Sequence, residues 1–125
     1  MGGVNQRAYV RIPLRLAARL EGEHWLGRVG QIRDFCPGGI FLACEVTGSD
    51  PTVGELDAAD PRVQATVRFQ IDLGSGAVGH TVRARVVRSF EAGLGLAFVD
   101  ADAATLGALQ QLAERQIAET ATRTG

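Results

Sequence analysis

Between Val63 and Ile71 apolar and polar residues alternate without a break. Val63, Ala65, Val67, Phe69 and Ile71 fall on one face; Gln64, Thr66, Arg68 and Gln70 fall on the other. Successive side chains of a strand point to opposite sides, so this segment is a strand with one face in a core. The same period recurs elsewhere. Leu14, Leu16, Ala18 and Leu20 oppose Arg15, Ala17 and Arg19, and Val82, Ala84 and Val86 oppose Arg83 and Arg85. Residues 25–33, 39–44 and 93–99 read as further strands. Residues 21–24 read as a turn, and the Gly-rich stretch 72–79 as a hairpin turn.

After Val99 the period changes. Asp100 or Asp102 can cap a helix, and Leu106, Leu109, Ala113 and Ile117 then share one stripe at helical spacing, which predicts a helix from about residue 103 to about residue 119. Short strands followed by one terminal helix specify a mainly β domain: a small antiparallel barrel with the helix packed across an opening. The expected layout is one domain, with a flexible N-terminal arm over 1–13, the barrel over 14–100, and the helix and tail over 101–125. Residues 45–62 carry five acids against one Arg and read as a long acidic loop, a solvated face or a partner surface.

Composition excludes several classes. With 125 residues, 46% hydrophobic content and a net charge of −1, the chain has a core but no basic footprint, so nucleic acid is not an expected partner. No apolar run is long enough for membrane insertion and no secretory signal is visible, which makes the bacterial cytoplasm the default location. Cys36 and Cys44 are too few for a disulfide framework, and with His24 and His80 they fit no zinc spacing. No clustered acid–base constellation points to an enzyme, and no metal or cofactor is expected. All thirteen basic residues are Arg, as a coding bias would also produce.

Two short motifs carry the chemistry. Arg7-Ala8-Tyr9-Val10-Arg11 places two guanidiniums four residues apart on the arm, and Asp34-Phe35-Cys36-Pro37-Gly38-Gly39 follows at a turn. Guanine presents N7 and O6 as acceptors and N1–H and N2–H₂ as donors. Arg can fork onto the acceptor edge or lie on the ring, and a carboxylate such as Asp34 can accept from the donor edge. Gly38 and Gly39 allow close backbone approach and positive φ. The same turn reads equally well as a tight strand connection, and Arg15 and Arg19 as the solvent face of a strand. Trp25 and Phe41 are expected in the core.

The sequence resembles the PilZ domain family. Arg7-x-x-x-Arg11, Asp34-x-Cys36-x-x-Gly39 and the closing Gly93-Leu94-Gly95-Leu96-Ala97-Phe98 match that family's motifs in order, from about Gln6 to about Ala118. The resemblance implies a six-stranded antiparallel barrel that binds cyclic di-GMP. Arg7 and Arg11 would contact phosphate and guanine, while Asp34, Cys36, Gly38 and Gly39 would hold the base edge and ribose-phosphate. Tyr9 would anchor the arm. An unidentified protein effector would then read the bound state. Two positions depart from the pattern. Cys36 stands where the family usually has Ser, and a thiol is a weak hydrogen-bonding group, which implies weaker binding or an adaptor that binds no nucleotide. Gln6 replaces a frequent Arg, which favours one ligand per domain over a stacked pair.

Overall fold

The computed structural model describes residues 11–22, 24–25, 27–46, 56–57, 59–90 and 92–124. Six strands, β1 (Ile12–Glu21), β2 (Arg28–Cys36), β3 (Gly39–Ala43), β4 (Gln64–Asp72), β5 (Ala77–Phe90) and β6 (Gly93–Asp100), precede one helix, α1 (Ala103–Thr124). Every pairing is antiparallel, and the strands close into a barrel in the order β1-β2-β3-β6-β5-β4, with β4 returning to β1. Closure removes the sheet edges that would otherwise present unpaired backbone.

The alternation read from the sequence forms the core. Val63, Ala65, Val67, Phe69 and Ile71 are all buried, and Val82, Ala84 and Val86 face them from β5. Full burial of each larger side chain contributes about 1.5–3 kcal/mol. β4 and β5 join at a tight turn in which Gly74 and Gly76 take φ of 110° and 112°. Asp72 Oδ1 accepts from both of their N–H groups, at 2.8 and 3.3 Å.

Trp25 is buried, as expected, but it precedes β2 instead of opening it. Arg28 N–H closes a turn onto the Trp25 carbonyl at 3.2 Å, and Gly27 in that turn has φ 68°. The indole Nε1 donates to the Arg62 carbonyl at 2.8 Å, which satisfies the polar end of an otherwise apolar plug. Arg62 belongs to the 3₁₀ turn Pro61–Val63, capped by Asp60. Most of the expected acidic loop lies outside the described residues.

Helix α1 starts where a cap was expected: Asp102 Oδ1 accepts from Thr105 N–H at 2.7 Å. It packs against β1 and β4 and buries Leu109 and Ala113 in the core. It runs longer than the expected limit near residue 119, and its stripe turns away at the end, where Ile117 is 48% exposed. Gln116 replaces it as the inward contact; its side-chain amide meets the backbone of Arg15. Arg115 donates to the Leu73 carbonyl in the β4–β5 turn. His80 stacks on Phe69 and bonds Thr105, and His24 meets Trp25 edge-on. Among the described residues no His, Cys, Asp and Glu side chains gather into a metal-binding group, and no helix is long and apolar enough to cross a membrane.

Candidate functional site

Three bulges place the site. Between β1 and β2 the register shifts after Pro13; between β2 and β3 it shifts after Ile32; between β5 and β6 it shifts after Val86. A bulge inserts a residue and breaks the in–out alternation. Ile32 points inward, but both Arg33 and Asp34 then reach the outer side. Val86 points inward, but Val87 and Arg88 both reach the outer side. Asp34 therefore sits in strand β2 and not in the turn assigned to it from the sequence.

With these shifts, one row of paired residues crosses five strands: Pro13 opposite Asp34, Asp34 opposite Phe41, Phe41 opposite Gly95, and Gly95 opposite Arg88. A cleft of about 370 Å3 opens along it, lined by Arg11, Asp34, Phe41, Arg88, Phe90 and Gly95 among others. Phe41 was expected in the core. The alternation of β3 buries Ile40 and Leu42 and turns Phe41 outward, where it meets Phe90 edge-to-face with ring centroids 5.7 Å apart.

Arg11 closes one end of the cleft. Its Nε donates to Asp34 Oδ1 at 2.7 Å and its Nη2 donates to the same oxygen, while Nη1 points at Cys36 Sγ, 3.4 Å away. The other oxygen, Oδ2, has no partner among the described residues. The ion pair is partly exposed, with 46% of the Arg11 side chain and 34% of the Asp34 side chain open to solvent. Cys36 is buried, so its sulfur steadies Arg11 and does not face the cleft. An exposed guanidinium beside a carboxylate with a free oxygen can meet both the acceptor and donor edges of a purine or bind a phosphate.

The two glycines of the motif serve the fold. Positive φ among the described glycines belongs to Gly27, Gly74 and Gly76, not to Gly38 or Gly39. A Cβ on Gly39 would lie 2.1 Å from the Leu96 carbonyl oxygen, so glycine there is required by the close approach of β3 to β6. Gly38 is exposed, has open space beside it, and accepts from Phe98 N–H at 2.9 Å through its carbonyl. Of the residues singled out from the sequence, Arg11, Asp34 and Cys36 come together, Gly38 and Gly39 flank them in the β2–β3 hairpin, and Arg7 and Tyr9 lie outside the described residues. Phe41, Arg88, Phe90 and Gly95 complete the cleft. Sequence reasoning missed them, because only the strand register brings them to Asp34.

A second groove, about 680 Å3, runs between β1 and α1 and is lined by Pro13, Arg15, Arg33, Gln116, Ile117 and Glu119 among others. It lacks the motif residues.

The chain has no significant match among curated proteins. Among solved structures it is similar to the Bacillus subtilis inhibitor of motility (MotI/DgrA), with a TM-score of 0.63 and 19% identity. That alignment covers 89% of this chain but 51% of the other, so the present chain spans about half its length. At that identity the likeness is one of fold. The PilZ domain family matches residues 5–115, nearly the whole sequence. On that match, together with the closed six-stranded barrel and its C-terminal helix, the chain belongs to the PilZ domain family, whose members are receptor and adaptor domains of the cyclic di-GMP-binding type.

Proposed function

We propose that the chain is a cytoplasmic cyclic di-GMP receptor without catalytic activity, acting as an adaptor for another protein. The observation that carries this reading is the Arg11–Asp34 pair at the end of an open cleft, with Asp34 Oδ2 unpartnered among the described residues. Arg7 and Arg11 hold phosphate and guanine, and Asp34 takes the donor edge of a base. Cys36 positions Arg11, while Gly38 and Gly39 shape the hairpin against which the ligand lies. A cleft of this size is at the lower end of the about 300–1,000 Å3 typical of ligand sites, so it takes part of a dinucleotide and the arm covers the rest. Ordering of the N-terminal arm over the ligand presents a different surface to the effector, which is how the bound state is read. Motility or biofilm formation is the proposed output; for motility the support is a neighbour of like fold named as an inhibitor of motility.

Calorimetric titration of cyclic di-GMP, beside an Arg7→Ala/Arg11→Ala double variant, tests the reading. Saturable binding in the wild type and none in the variant is expected. Absence of heat, with an unshifted melting temperature, overturns it.

A second reading, a PilZ adaptor that binds no nucleotide, is favoured by Cys36, whose buried thiol is a poor substitute for a hydroxyl. Cys36→Ser separates the two: a hydroxyl holds Arg11 more firmly than a thiol does, and if that adds about 0.5–1.5 kcal/mol a receptor tightens about three- to ten-fold, whereas a non-binding adaptor stays silent.

A further inference from the structure

The far half of the cleft is built from residues that neither motif contains. Phe41, Gly95 and Arg88 pair in sequence across β3, β6 and β5. Neighbouring strands are about 4.8 Å apart, so Phe41 and Arg88 stand about 10 Å apart with only glycine between them. Gly95 therefore makes a bare backbone floor. Its hydrogen faces space that a side chain would fill: a Cβ there would stand 3.6 Å from Arg88 Cβ and 3.8 Å from Phe90 Cε2, ordinary contact distances. Unlike Gly39, Gly95 is not needed for strand approach. Its absence of a side chain keeps the slot open.

The walls of the slot have matching chemistry. Phe90 is 46% exposed, and its ring forms a corner with the outward-turned Phe41. Arg88 is exposed, with no hydrogen bond or ion pair among the described residues. A bare floor, an aromatic corner and an unspent planar donor form the environment in which a flat heterocycle with two acceptors on one edge is recognised.

We infer that this slot takes one purine ring of the ligand, seated on Gly95 against Phe41 and Phe90, and that Arg88 donates to its O6 and N7 and so selects guanine over adenine. The inference rests on the receptor reading above and adds a second base-binding half to it. Adenine offers N7 but replaces O6 with a donor amine, so the Arg88 fork keeps one partner and confronts the other donor to donor.

The test is titration of cyclic di-GMP and cyclic di-AMP into the wild type, Arg88→Ala, Gly95→Ala and Gly95→Val, with Arg11→Ala as reference and melting curves for all. Arg88 is exposed and unpartnered among the described residues, and a Cβ at Gly95 fits, so the Arg88→Ala and Gly95→Ala variants are expected to fold. Arg88→Ala is expected to weaken cyclic di-GMP binding at least ten-fold and to bring it close to the cyclic di-AMP value. Gly95→Val is expected to weaken both ligands at least ten-fold, with Gly95→Ala intermediate. If the Arg88 and Gly95 variants bind cyclic di-GMP within two-fold of wild type while Arg11→Ala fails, the slot is not part of the site, although the receptor reading stands. Equal losses for both ligands in Arg88→Ala overturn the guanine fork. A wild type silent toward cyclic di-GMP overturns the inference and the receptor reading together.

Discussion

Gln116 satisfies both backbone groups of Arg15 with one side-chain amide: its Nε2 donates to the Arg15 carbonyl and its Oε1 accepts from the Arg15 N–H, each at 2.8 Å. The pairing falls where the register of β1 against β2 shifts, so the helix supplies the bonds that the bulge withdraws from the sheet. Gln116→Ala is expected to lower stability by about 1–2 kcal/mol, the net value of two neutral hydrogen bonds near the surface. Gln116→Glu keeps the acceptor and should lose about half of that. Urea denaturation of the three proteins checks both values.

The hairpin glycines differ in role, and substitution should separate them. Gly39→Ala drives a methyl into the Leu96 carbonyl, and Gly93→Ala drives one to 2.3 Å from the Leu42 carbonyl oxygen. Neither backbone can retreat without parting β3 from β6, so each change should cost about 1–3 kcal/mol or more. Gly38→Ala meets only Cys36 Sγ, at 4.0 Å, and should be nearly neutral. Melting temperatures of the three variants decide this.

Stability and binding should come apart at Asp34. Its pairing with Arg11 is partly exposed, and such pairs contribute about 0–1 kcal/mol to folding. Asp34→Asn should therefore melt within a few degrees of wild type. Toward cyclic di-GMP it loses a charge-assisted bond of about 1.5–3 kcal/mol, which is about a ten- to hundred-fold weakening by calorimetry.

Asp60 gives the fold a pH signature. Hydrogen bonds from the Arg62 side chain, then from the Arg62 N–H, hold its carboxyl down from 3.8 to about 2. The folded value is the lower one, so the stabilisation is fully present above about pH 3.8 and is lost as pH falls through about 2. An NMR titration should place the Asp60 midpoint near 2. The stability difference between wild type and Asp60→Asn should be flat from pH 4 to 7 and shrink below. A midpoint near 3.8 means that the bidentate contact, 2.8 and 3.1 Å, does not form in solution.

Much of the fold was legible because its signals are local. The alternation of residues 63–71 and the change of period after Val99 required no knowledge of distant neighbours, and the Asp102 cap is set by residues three apart. The bulges were not legible. Asp34 was read at a turn because Pro37, Gly38 and Gly39 follow it, and nothing local marks Val87-Arg88; only the partner strands reveal that Arg33 and Asp34, like Val87 and Arg88, both face out. The bulge in β5 also explains the silence of Arg88, which in the sequence is one Arg among thirteen. Phe41 was misjudged for its size, although its neighbours Ile40 and Leu42 fix its phase. Ile117 fitted the helical stripe, but on that turn Gln116 makes the contact with β1 and Ile117 is left exposed. Arg11, Asp34 and Cys36 were visible because their motif spacing survives any error in strand phase.

The row from Pro13 through Asp34, Phe41 and Gly95 to Arg88 runs across the strands and not along one, spanning four of the six seams of the barrel. An occupant gripped at both ends is a hoop. It stays only while all four seams remain shut, so no partly opened barrel retains it. Amides of β1, β2, β3, β6 and β5 should then slow their hydrogen exchange together on ligation, and not only at the contacts. A ligand at a hundred times its dissociation constant raises the cost of opening by about 2.7 kcal/mol, shared by every strand the hoop crosses. A messenger bound in this way reports on the whole barrel, and a lesion in any of the four seams silences it.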